Sequence, residues 1–138
     1  MKKTLQRFVE AQDAIYDQVR SELQIGEKRG HWMWFIFPQI AGLGSSYMAT
    51  RFAIASLDEA KAYLDHPILG PRLIECTKLV NQMAIGNIQR IFSYPDDLKF
   101  RSSMTLFAKA TEENQVFVEA LDTYFGGKWD DRTIELLG

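Results

Sequence analysis

The chain has 138 residues, 46% of them hydrophobic and 25% charged, with a formal net charge of -2. This balance belongs to a globular chain that buries roughly two thirds of its unfolded surface, and it excludes a disordered tract, a fibre and a uniformly basic nucleic-acid binder. The single cysteine, Cys76, allows no internal disulfide, and the apolar run Trp32 to Phe37 is far shorter than the roughly 18 residues of a membrane span.

The opening stretch is charged and amphipathic and lacks the apolar core of a signal peptide, so a cytoplasmic protein with no membrane contact is expected. From Leu5 to Leu23 the apolar residues Leu5, Phe8, Val9, Ile15, Tyr16, Val19 and Leu23 recur at steps of three and four, with Gln12 in the one gap, which predicts a single amphipathic helix. Thr4 is placed to cap it and Gly26 to stop it. The run His31 to Phe37 follows. Periodicity does not separate strand from buried helix there, but no other segment offers an alternating partner strand, and a lone strand would leave its backbone groups unpaired, so a short helix is expected. Pro38 ends it, and Ala41-Gly42-Leu43-Gly44-Ser45-Ser46 reads as a loop.

Ser56-Leu57-Asp58-Glu59 matches a capping box and opens a helix that must stop near Asp65, because Pro67 disfavours helical backbone at His66. Gly70-Pro71 restarts a helix on which Leu69, Leu73, Cys76, Val80 and Met83 share a face. Pro95-Asp96-Asp97 is a strong start signal for a helix running to Ala110, with Phe100, Met104 and Phe107 inward and Asp97 one turn from Arg101. Asn114 can cap the next helix, which Gly126-Gly127 halts, and Asp130 a final one through Leu137. With no repeat, linker or low-complexity tract, the expectation is one all-α domain over residues 1–138, made of about six or seven short helices.

Two segments are rich enough in chemistry to be candidate sites. In Gly30-His31-Trp32-Met33-Trp34-Phe35-Ile36-Phe37-Pro38-Gln39, the residues Met33, Phe35, Ile36 and Phe37 read as core. Trp32 and Trp34 are open to either role, since an indole needs a partner for its N–H when buried and offers a flat face to a ring when half-buried. His31 is a candidate base beside Lys28 and Arg29, or a solvated surface group. In Asp96-Asp97-Leu98-Lys99-Phe100-Arg101-Ser102-Ser103, two acids, two bases and two hydroxyls fill eight positions. That density reads either as a salt-bridged surface or as an anion grip in which Arg101 and Lys99 hold a carboxylate or phosphate. Two histidines without a cysteine cluster form no zinc pattern, and nucleotide-phosphate loops and serine-hydrolase elbows are absent from the sequence. No metal or cofactor is therefore expected.

Beyond these local readings, the segments Lys28 to Gln39, Ala41 to Gly44, Ala53 to Ala60, His66 to Leu73, Pro95 to Phe107 and Phe125-Gly126-Gly127 together resemble the domain-of-unknown-function family eighteen-ten, from Leu5 to Leu137. The resemblance implies a small, all-α, cytoplasmic protein. Some members carry a calpastatin label, but calpastatin repeats are disordered and proline-rich, unlike this chain. A more distant likeness is to helical domains that hydrolyse glycosidic bonds of ADP-ribose or related nucleotide metabolites; none of their motifs can be laid residue by residue on this sequence.

The leading expectation is a site for an anionic, nucleotide-like or sugar-phosphate ligand, with hydrolysis of an N-glycosidic bond as its candidate chemistry. In it Trp32, Trp34, Gln39, Lys99, Arg101 and Ser102 bind and His31 or Asp97 moves a proton. The alternative is a non-enzymatic interaction module that docks a partner through an exposed Trp-rich patch. Nucleic acid is disfavoured by the acidic total, and a monomer or weak homodimer is expected.

Overall fold

A computed structural model of the protein describes residues 4–83 and 86–138. Among the described residues there are nine α-helices: α1 (Gln6–Asp13), α2 (Tyr16–Ile25), α3 (Met33–Ile36), α4 (Tyr47–Arg51), α5 (Leu57–Asp65), α6 (Leu69–Met83), α7 (Asp96–Ala110), α8 (Gln115–Phe125) and α9 (Asp131–Leu137), with a 3-10 turn at Ile88–Arg90. The all-α class expected from the sequence is the observed one.

Helix α7 is the centre of the architecture. It packs against α3, α5, α8 and α9, and Phe100, Met104 and Phe107 are fully buried on it. Ser102, Ser103, Thr105 and Ala108 are buried as well, so the helix is enclosed on nearly every side. Small residues permit that close approach, and two of the hydroxyls bond back within the helix: Ser102 Oγ to the Leu98 carbonyl (3.1 Å) and Thr105 Oγ1 to the Arg101 carbonyl (2.9 Å). An aromatic cluster ties α7 to the Trp-rich run. Phe37 meets Phe100 edge-on at 5.0 Å between ring centroids, and Phe92 bridges Phe100 at 5.1 Å and Trp32 at 6.3 Å.

Several local expectations are met. The Trp-rich run forms the short helix α3. Ser56 caps α5 by accepting from the Glu59 amide (3.2 Å), although the Glu59 carboxylate takes the Ala55 amide (2.9 Å) rather than that of Ser56. His66 caps the start of α6, its Nδ1 accepting from the amides of Ile68 (3.1 Å) and Leu69 (3.3 Å). Gly70 sits in α6 against the preceding helix, where a Cβ would lie 2.1 Å from the Leu64 carbonyl oxygen.

Other details differ. The first helix is two: the backbone leaves helical geometry at Ile15 (φ -134°, ψ 5°), because α1 packs on α3 while α2 packs on α6. Apolar spacing stays in phase through the break, so periodicity does not register it. Gln12, the polar residue in the stripe, is buried and donates to the Phe35 carbonyl (2.7 Å) and the Tyr63 hydroxyl (3.0 Å). Thr4 makes no side-chain cap; Leu5 holds the N-cap position. Asn114 likewise does not cap α8, its Nδ2 instead reaching the Ala108 carbonyl (2.9 Å). Helix α4 lies just beyond the stretch read as loop, and it buries none of its residues.

Residues 41–53 therefore form a loop carrying one helical turn and a half. Its ends are joined by a parallel bridge between Ile40 and Ile54, in which the Ala41 amide donates to Ile54 and the Ile54 amide to Gln39, both at 2.8 Å. The buried Arg7 guanidinium holds the second foot, donating to the carbonyls of Arg51 and Ala53 at 2.8 Å and facing Glu59 at 3.5 Å.

Candidate functional site

The loop 41–53, α3, α7 and the start of α9 enclose a cleft of about 250 Å³. Its lining includes Trp34, Gln39, Lys99 and Ser102, together with Gly42, Leu43, Gly44, Leu98, Asp130 and Arg132. Two sequence segments some sixty residues apart are thus brought to one place.

Each wall has a local cause. Trp34 is the one member of α3 that is not fully packed away: Met33, Phe35 and Ile36 are buried and leave the indole at the cleft. Over its ring lies the Lys99 ammonium, 5.0 Å from the centroid. Lys99 also faces Asp96 at 3.6 Å, and the other oxygen of Asp96 holds Lys28 at 2.8 Å.

The α9 side is sewn to α7 through Asp130. Its Oδ2 caps α9 by accepting from the Thr133 amide (3.0 Å) and hydroxyl (2.5 Å), and it lies 3.2 Å from Ser102 Oγ. The Asp130 amide in turn donates to Thr105 Oγ1 at 2.8 Å. The single hydroxyl proton of Ser102 is therefore contested by the Leu98 carbonyl and the Asp130 carboxylate.

The remaining sequence candidates lie elsewhere. Trp32 is fully buried, its Nε1 donating to Glu22 at 3.0 Å, and it anchors the core. Glu22 also accepts from the amides of Arg29 (2.7 Å) and Gly30 (2.9 Å) and from Gln18 (2.7 Å). Burial pushes the Glu22 carboxyl up, but these four donors outweigh it and hold it at about 2. His31 is exposed and does not line the cleft. Asp97 is buried outside the lining and accepts from Gln89 at 3.2 Å. It makes no ion pair with Arg101, whose guanidinium donates to the carbonyls of Lys128 (2.9 Å) and Trp129 (3.0 Å) and so fastens the link between α8 and α9.

Asp130, Arg132 and the glycine loop enter the lining without having been singled out as ligand contacts from sequence. Asp130 carried only a cap signal, and a cap is what its carboxylate makes. Arg132 carried none.

Among the described residues no group of three His, Cys, Asp or Glu side chains is placed to hold a metal ion, and no helix is long and apolar enough to cross a membrane. The Trp-rich segment, buried apart from Trp34 and Gln39 between Trp32 and Ile40, presents no exposed apolar patch.

The described residues form an all-α protein. The family described as protein of unknown function (DUF1810) matches residues 2–137, and the chain belongs to that family. A solved structure, that of the conserved hypothetical protein Rv1873 from Mycobacterium tuberculosis, is similar with a TM-score of 0.95 and 60% sequence identity, over 96% of this chain and 95% of that one. A comparison with curated proteins returns no match.

Proposed function

We propose that the cleft binds a small anionic ligand carrying a planar ring, of the nucleotide or sugar-phosphate class. The observation that carries this reading is the convergence of a half-buried indole, an ammonium and a guanidinium on one concave site: Trp34, Lys99 and Arg132. Such a site joins a stacking surface to charge that can meet an anion, with Gln39 and Ser102 available to orient the polar part.

Size narrows the ligand. About 250 Å³ falls just below the ~300–1,000 Å³ usual for small-molecule pockets, which favours a mononucleotide or sugar phosphate over a whole dinucleotide. Hydrolysis of an N-glycosidic bond requires an acid or base beside the ligand. Asp130 is the carboxylate in the lining, whereas His31 and Asp97 stand outside it, so Asp130 replaces them as the residue on which a hydrolytic role rests.

The test is a thermal-shift series with AMP, ribose 5-phosphate and ADP-ribose on the wild type and on Trp34→Ala. A ligand at about 100 times its dissociation constant adds about 2.7 kcal/mol of stability. The expected result is a shift with AMP that the folded Trp34→Ala protein loses. No shift with any of these at saturating concentration overturns the reading. Chromatography of the same mixtures reports whether a base is released, and Asp130→Asn, checked for folding, is expected to abolish any release.

A further inference from the structure

The indole that the proposed site offers for stacking is already covered. We infer that Lys99 gates Trp34, so that the cleft favours a planar ring whose own molecule brings an anionic group; this rests on the ligand-site reading above.

Three observations carry it. First, the Lys99 ammonium stands 5.0 Å from the centroid of the Trp34 ring, and both side chains line the cleft, so the cation occupies the face a ligand ring would use. Secondly, its hold there is weak. Its ion pair with Asp96 is long at 3.6 Å, and Asp96 keeps the closer Lys28 at 2.8 Å when Lys99 leaves, so no carboxylate is stranded. Lys28 is itself the more enclosed of the two, 10% exposed against 27%, and is the stable partner. Thirdly, a lysine is suited to the movement, being a compact charge on a flexible four-carbon stem.

A neutral ring must therefore expel the ammonium from the indole and gives it nothing in return. A ring bearing a phosphate supplies the new partner at the same moment as it claims the indole face. Among the other charged groups of the lining, Arg132 is paired with Glu135 at 3.3 Å on the exposed rim, and Asp130 is engaged by Ser102 and Thr133, which leaves Lys99 as the cation placed to meet the anion. The ligand class is thereby sharpened from any ring or any anion to the two joined, as in a nucleoside monophosphate.

Calorimetric titration of wild type and Lys99→Met with AMP, adenosine and ribose 5-phosphate separates ring, anion and their combination. Wild type is expected to bind AMP at least about tenfold more tightly than adenosine. In Lys99→Met, adenosine binding should tighten about two- to fivefold, as expected for release of one half-buried cation–π contact, while AMP binding weakens about tenfold. General damage to the site cannot produce such a crossover, since it weakens both ligands. Lys99→Gln serves the same purpose should the methionine variant fail to melt cooperatively.

If adenosine binds no better to the variants while AMP still binds wild type, the gate is overturned and the ligand site stands. An AMP affinity unchanged by the substitutions also overturns it. If none of the three compounds binds wild type, the ligand site falls and the gate with it.

Discussion

Replacing Glu22 by glutamine tests how the Trp-rich segment is held. The Glu22 carboxylate receives four donors, two of them the backbone amides of Arg29 and Gly30 and one the indole of Trp32. Its ordinary value of 4.5 falls to about 2 in the folded protein. At 1.36 kcal/mol per unit, that difference is worth about 3 kcal/mol to the folded state at neutral pH. Because the folded value is the lower one, the contribution is complete above about pH 4.5 and is lost as the pH falls toward 2. Glu22→Gln removes the charge but keeps the shape, so it should destabilise by up to about 3 kcal/mol at pH 7, about 10 °C in Tm for a chain of this size. Denaturant unfolding of both proteins at pH 7, 5, 4 and 3 isolates the effect, since every other carboxylate titrates in both. The gap should narrow steadily below about pH 4.5. A gap under about 1 kcal/mol at pH 7, or one that stays constant with pH, refutes the argument.

Two further expectations separate structure from ligand contact. Arg101→Ala should cost about 1–3 kcal/mol by freeing the carbonyls of Lys128 and Trp129, while AMP affinity stays within about twofold; lost affinity with stability intact would restore Arg101 to the ligand. Burial pushes the Cys76 thiol up to about 12, so a thiol reagent at pH 8 should label it only after denaturation, and stoichiometric labelling of the native protein within minutes would contradict the packing around it.

Much of this fold is written locally, and much of the site is not. The limits of α7 could be read from Pro95-Asp96-Asp97 at one end and the loss of pattern after Ala110 at the other, because caps and prolines act on their immediate neighbours. The break at Ile15 escaped because two helices with different partners keep the same apolar phase. In the site, Trp34, Gln39, Lys99 and Ser102 line one cleft, and no local signal in the sequence could say that their two segments meet. Trp32 and Trp34 are indistinguishable in sequence, and the partners that take Trp32 inside, the Glu22 carboxylate and the Phe37 and Phe92 rings, are fixed only by the tertiary fold. Arg101 resembled an anion grip because chemistry alone does not tell a phosphate from the backbone carbonyls of Lys128 and Trp129, which accept the same donors.

The bridge between Ile40 and Ile54 has an evolutionary meaning. It closes the loop at its neck, with Arg7 bolted across the base, while Leu43 and Met48 pack against the core and Ser45, Ser46 and Tyr47 stay exposed. Helix α4 contributes no buried side chain, and Tyr47 is 74% exposed. Descendants of this chain can therefore reshape one rim of the cleft at little risk to folding, whereas α7 has almost no position at which such changes are free. Sequence divergence among relatives should accumulate on the loop rim first.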